Sequence, residues 1–334
     1  MFNNTLAFLN ATQDKHIVVS PLNVFHCLAL LAKGARGKTL AQIQKVTNNL
    51  PPLTSFQNRG MTIGNANKLF IKQQLITHPG FNHCSANIEP LLDPPSASVN
   101  MINQWVKNNT AGFIPKLLNA GDIAPDVLMI AVQAMFFKGL WKSPFLAAES
   151  TVSTFYGDGG PTPMVPLMKG RRKRVLAYNG DLQLITLPMK HPNYGMTFIL
   201  PRTPQPLRNL SQSQFDVMMN RRTIFDVDVT IPKFTMTSRL EVRTILRSLG
   251  ITDIFSHGAN FNGFMKGIDI HVSTIVHAAK ILVHEKGAEG GAATGAIMKG
   301  ISMTPYMKFT ADHPFWFFVH SSDAVLMAGK CSVL

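Results

Sequence analysis

An apolar stretch interrupted only by Gln133, Val127 to Phe137 (VLMIAVQAMFF), constrains this chain more than any other part of its sequence. A strand with one wet face alternates apolar and polar residues, whereas a strand covered on both faces reads as a nearly continuous apolar run. The chain must therefore build a sheet with a layer of structure on each side. At 334 residues, 46% hydrophobic and 15% charged, it has the length and apolar content for that, and lacks the composition of a disordered chain.

The other segments fit around such a sheet. Ser20 to Val46 reads as a helix pair, with Ser20 and Pro21 as cap and first turn, punctuated by Gly34 and Gly37. NMINQWVKNNT is an amphipathic helix with Ile102, Trp105 and Val106 on one side. LQLITLP, GMTFILP, FDVDVTIPKFTM and PFWFFVH are short, β-branched or aromatic, and bounded by Pro, Gly or Asn, as strands are. LEVRTILRSLG predicts a helix that stops at Gly250. The Gly-rich stretch HEKGAEGGAATGAIMKGISMTPYM is too poor in large apolar residues for a stable helix and predicts a long exposed loop over 285–307. No fixed-period repeat or linker divides the chain, so the expectation is a single α+β domain over 1–334.

Composition and spacing narrow the chemistry. The three cysteines, Cys27, Cys84 and Cys331, are an odd number spread from end to end, and nothing here needs a disulfide to fold. No apolar run reaches the ~18 residues of a membrane span, and MFNNTLAFLN lacks the basic segment and apolar core of an export signal. The eleven histidines show no metal-ligand spacing, and neither a phosphate-cradling loop nor a nucleophile elbow is present, so no metal, cofactor or catalytic set is expected. The formal net charge of +14 attracts polyanions. Lys169, Arg171, Arg172, Lys173 and Arg174 are the densest candidate patch, read either as a solvated turn or as a site for a heparin-like glycosaminoglycan. Stacking aromatics do not interleave with these charges, which speaks against nucleic acid. Asn3, Asn10, Asn108 and Asn209 open N-x-[ST] triplets, which matter only in an exported chain.

Several separated motifs, in order, resemble the serpin family of serine protease inhibitors over nearly the whole length. They are SPLNVFHCLALLAKGARGKTLAQI, INQWVKNNTAGFIPKLL, AVQAMFFKGLWKSPF, IPKF, LRSLGITDIF, HEKGAEGGAATGAIM, and DHPFWFFV with VLMAGK. The wording is most similar to the plasminogen-activator-inhibitor and protease-nexin group, and the compact form resembles virally encoded serpins. The stretch from Val46 to Ile63 is too short for the basic heparin-binding helix of that group. The resemblance implies a large central mixed sheet with surrounding helices, smaller sheets and an exposed reactive-centre loop. It also implies an extracellular, monomeric glycoprotein, with Asn108 or Asn209 as the sugar-bearing residue. The absence of a visible leader leaves a cytoplasmic form as the alternative.

The mechanism implied by the resemblance is suicide inhibition: a target protease cuts the loop, and the loop inserts into the main sheet as a new strand, carrying the covalently attached protease. Insertion requires small residues, and Gly287, Ala288, Gly290, Gly291, Ala292, Ala293 and Thr294 supply them, with Glu289 pointing outward. Gly290, Gly291 and Gly295 stand where the family commonly has alanine or β-branched residues, and each costs ~0.5–1 kcal/mol relative to alanine in an ordered strand, which slows insertion. Counting forward from Glu285 in the family's spacing, and back from KFTADHPF, reaches the same scissile pair, Ile301 and Ser302. An aliphatic residue there suits elastase-like pockets, while a shift of two would offer Lys299 to a trypsin-like protease. By the same resemblance Lys233 and Glu285 pair at the top of the sheet above Trp141, and Ser20, Gln133 and His277 form a cluster beneath its opening point, with Gln133 where the family has asparagine. The alternative is a non-inhibitory serpin acting as carrier, chaperone or polyanion binder.

Overall fold

The computed structural model describes residues 2–287 and 307–334 except Thr54, Arg59 and Thr77. In chain order the elements are α1 (Phe2–Ala11), β1 (Ile17–Val19), α2 (Pro21–Ala32), α3 (Gly37–Thr47), β2 (Phe56–Asn58), β3 (Met61–Lys72), α4 (Gln73–Ile76), β4 (Ile88–Leu91) and α5 (Pro95–Asn109). Then follow β5 (Met129–Gly139), β6 (Thr151–Gly157), β7 (Gly160–Asn179), β8 (Leu182–Pro188), β9 (Tyr194–Pro201), α6 (Gln212–Asn220), β10 (Thr223–Pro232), β11 (Phe234–Glu241) and α7 (Arg243–Ser248). The last strands are β12 (Thr274–Val283), β13 (Met307–Thr310), β14 (Phe315–Ser321) and β15 (Val325–Cys331). No helix among the described residues is long and apolar enough to cross a membrane.

The apolar stretch becomes β5, at the centre of a six-stranded mixed sheet in the order β11-β12-β5-β3-β2, with β4 also on β3. Its two faces pack on different layers. Ile130, Val132 and Ala134 join Val276 and Ala278 of β12 against Val99, Ile102 and Val106 of α5. On the opposite face Met129 and Ala131 meet the layer that contains α2. α2 is buried nearly all round, as its apolar sequence demands, and it packs against β3 and β5 on one side and β15 on the other. The Ser20 hydroxyl accepts the Asn23 N–H at 3.3 Å, and Pro21 opens the first turn.

The expected smaller sheets are joined into one curled nine-stranded sheet, β1-β15-β14-β9-β8-β7-β10-β13, with β6 on β7. The segment LEVRTILRSLG is helical only over Arg243–Ser248; its first residues end β11, where they pair with β12. Gly250 sits at φ 82°, the left-handed conformation that stops the helix. The basic run at 169–174 is not a turn. It lies in the middle of β7, where its backbone groups pair with β10 from Lys169↔Thr230 to Arg174↔Phe225.

Candidate functional site

Two adjacent strands define the site. β12 and β5 are parallel neighbours, paired from Thr274↔Ile130 to Ile281↔Phe137. Just above them the chain leaves β12 and turns over the upper end of β5. Gly287 bridges antiparallel to Leu140, one residue past the end of β5, and closes a turn on His284, one residue past the end of β12. A Cβ on Gly287 would lie 2.0 Å from the Gly139 carbonyl oxygen, so no residue with a side chain fits this approach. Two backbone hydrogen bonds fix the turn further: Trp141 N–H donates to the Lys286 carbonyl at 2.9 Å and Phe145 N–H to the Glu285 carbonyl at 2.8 Å.

Side chains complete the fastening. The Lys233 ammonium pairs with the Glu285 carboxylate, which also accepts the Ser150 hydroxyl at 3.0 Å. Burial raises the Glu285 pKa, but the Lys233 and Ser150 hydrogen bonds and the Lys233 charge outweigh it and hold the carboxyl below its ordinary value. Trp141 is buried, donates its indole N–H to the His284 carbonyl at 2.9 Å, and meets Phe145 edge to face. Ser150 and Phe145 escape a sequence reading because nothing in their local pattern points to a partner more than a hundred residues away.

Halfway down the seam lies a buried polar cluster. His277 stands directly across from Gln133, and both are fully buried. His277 Nε2 accepts the Ser20 backbone N–H at 3.0 Å, which puts the ring proton on Nδ1, where it has no acceptor. Burial drives the His277 pKa down to about 3, so the ring is neutral. The Ser20 hydroxyl donates to the Leu326 carbonyl at 2.6 Å, tying the cluster to β15.

Gln133 is satisfied poorly. Neither atom of its amide makes a hydrogen bond of ordinary geometry. The Cys27 thiol beside it is a weak partner; burial pushes that thiol up to about 12 against a small opposing pull from Gln133. Beside them the Asn67 amide donates to the Asn23 and Asn65 side-chain carbonyls, while Asn23 Nδ2 and Asn67 Oδ1 lack partners. Asn23 falls next to the helix cap in SPLN, a position that composition and periodicity leave unmarked.

The remaining expectations divide. Ala288, Glu289, Gly290, Gly291, Ala292, Ala293, Thr294, Ile301 and Ser302 lie outside the described residues. Strand alternation breaks up the basic run: Arg174 is buried, and Arg171 stands opposite Asp228 of β10. Asn108 and Asn209 are exposed.

A family model described as Serpin (serine protease inhibitor) matches residues 3–333. The chain is a serpin. It is 29% identical to the leukocyte elastase inhibitor of Bos taurus over 360 residues, covering 97% of this chain and 96% of that protein. Among solved structures, uncleaved ovalbumin superimposes with a TM-score of 0.88 at 23% identity, covering 99% of this serpin and 98% of ovalbumin. Native protease nexin-1 with heparin superimposes with a TM-score of 0.83 at 26% identity, covering 99% of this serpin and all (100%) of that chain.

Proposed function

We propose that this serpin inhibits an elastase-like serine protease by loop cleavage between Ile301 and Ser302 and insertion of residues 287 to 300 between β5 and β12. The observation that carries the reading is Gly287, which bridges antiparallel to Leu140 and His284, the residues that follow β5 and β12 at the head of their shared seam. Each further loop residue would move one step down both strands. The two bridges agree on a single register because β5 and β12 are themselves paired Gln133 to His277.

In that register Thr294 comes between Gln133 and His277 and brings a hydroxyl to the level of their unpaired atoms. Ala288, Gly290, Ala292, Thr294 and Ala296 share its face, and all are small; Glu289 points to the other. Ile301 passes beyond the lower ends of both strands, so a protease joined to it travels the length of the sheet.

The chemistry is acyl transfer that stops halfway. The protease serine Oγ attacks the Ile301 carbonyl, the Ile301–Ser302 peptide bond breaks, Ser302 leaves as a new amino terminus, and an ester joins Ile301 to the enzyme. Insertion then distorts the enzyme before water resolves the ester, so this serpin acts as a substrate that traps rather than as a catalyst. An aliphatic Ile301 suits a small apolar pocket, in keeping with the name of the bovine relative.

Mixing the protein with an elastase-like protease tests this on a denaturing gel. The expected result is an SDS-stable adduct, with Ser302 as the released amino terminus. Thr294→Arg should give cleavage with adduct reduced more than roughly tenfold, because insertion would bury an unpaired charge. Cleavage between Ile301 and Ser302 in the native protein without adduct would falsify the inhibitory reading.

A further inference from the structure

A cluster away from the seam carries its own chemistry. The segment leading into β12 alternates: Ile270 and Val272 are buried in the core, so Asp269 and His271 stand together on the outer side. The Val272 N–H donates to the Ile254 carbonyl at 2.9 Å, clamping this segment to the short 3-10 helix Asp253–Phe255. His257 lies in the turn that follows, closed by the Ala259 N–H on the Ser256 carbonyl at 3.0 Å. Two backbone fastenings thus bring a histidine to an aspartate and a histidine that are distant from it in sequence.

The side chains meet. His257 Nδ1 and the Asp269 carboxylate are 2.9 Å apart, and the rings of His257 and His271 have centroids 4.8 Å apart. One donor atom from each of the three residues lies within 4.8 Å of the other two. His271 Nδ1 is shielded from water and has no hydrogen-bond partner, so its bonding capacity is unused.

We propose that His257, Asp269 and His271 bind a divalent transition-metal ion of the zinc class, which staples the turn after Asp253–Phe255 to the segment leading into β12. Two imidazoles and one carboxylate suit zinc, cobalt, nickel or copper, whereas magnesium and calcium prefer oxygen throughout. Metal–donor bonds of ~2.0–2.2 Å place tetrahedral donors about 3.4 Å apart. The observed spread of 4.8 Å exceeds that value by about 1.4 Å, a side-chain adjustment to which His257, 86% exposed, is free to contribute. Water completes the coordination.

The test is calorimetric titration of the full chain with zinc chloride, with thermal unfolding followed in parallel. Zinc should bind and raise the melting temperature, and magnesium chloride should do neither. With eleven histidines in the chain, the variants decide. His271→Ala and His257→Gln should each lose at least about tenfold in zinc affinity and most of the melting shift. Both should melt like the native protein without metal, since His257 is exposed and His271 Nδ1 holds nothing in place. Variants that titrate like the native chain, or a native chain that takes up no zinc, would overturn the assignment.

Discussion

The upper end of the β5–β12 seam and its middle are built on opposite principles. At the top the groups that hold the turn are paired: Lys233 with Glu285, Ser150 with Glu285, the Trp141 indole with the His284 carbonyl, and Gly287 with Leu140 and His284. In the middle Gln133, His277, Asn23 and Asn67 each carry a buried polar atom with no partner. Buried groups in that state cost about 1–3 kcal/mol each, so the middle favours any rearrangement that satisfies them, while the top resists one. The same sheet holds a clasp and a weak point one above the other.

The largest effect should come from removing the weak point. Gln133→Leu replaces two unpaired buried atoms with an apolar group of similar volume among Met135, Cys27 and Ala131. The uncleaved protein should gain about 2–4 kcal/mol, read as a melting temperature several degrees higher. The cleaved form should gain less, because Thr294 loses its partner there. Equal stabilisation of both forms, or none, would show that the middle of the seam is not where the two states differ.

This contrast was only half legible in the sequence. The run Val127–Phe137 announced a strand buried on both faces, because such burial leaves its mark on every residue of the strand. Ser20, Gln133 and His277 were marked as a cluster by resemblance, yet the unpaired state of Gln133 depends on where the Cys27, Ser20 and His277 side chains end, which local pattern does not encode. The glycine at 287 read as one of the small residues that insertion requires, whereas the backbone contact with Gly139 makes it a requirement of the uncleaved form as well. The basic run looked like a turn because its charges mask a strand whose alternate residues face different environments. His257, Asp269 and His271 do not stand out in the sequence because their spacing is not that of a ligand motif; the clamp at Val272 and Ile254 brings them together.

Acid should attack the middle before the top. His277 has its pKa lowered from 6.5 to about 3, so below pH 6.5 the unfolded chain binds a proton that the folded chain refuses. The stability contributed by neutral His277 is whole above pH 6.5, falls as pH drops below that, and is exhausted near pH 3. One proton per molecule corresponds to ~1.4 kcal/mol per pH unit, or about 2 kcal/mol by pH 5. Denaturant titrations of the native protein and His277→Gln across pH 5 to 7 read this directly, and the variant should lose that part of the slope. An unchanged slope would assign the pH dependence to other groups.

The smallest change in stability should accompany the largest change in clasp behaviour. Glu285→Gln keeps an acceptor for Ser150 but removes the charge that pairs with Lys233. Lys233 remains about one third exposed (35%), so solvent screens the pair and its loss should cost no more than ~1 kcal/mol at neutral pH. The lowered Glu285 pKa puts the native pair's own acid sensitivity below the ordinary carboxylate value of 4.5, whereas the loss from His277 already begins at pH 6.5. With the clasp loosened, spontaneous insertion of the uncleaved loop should run several-fold faster while the melting temperature barely moves. Gln133→Leu should do the reverse, raising the melting temperature without releasing Gly287 from Leu140 and His284. Matching changes in both quantities for both variants would mean that top and middle form one cooperative unit, and the division of the seam into clasp and weak point would fail.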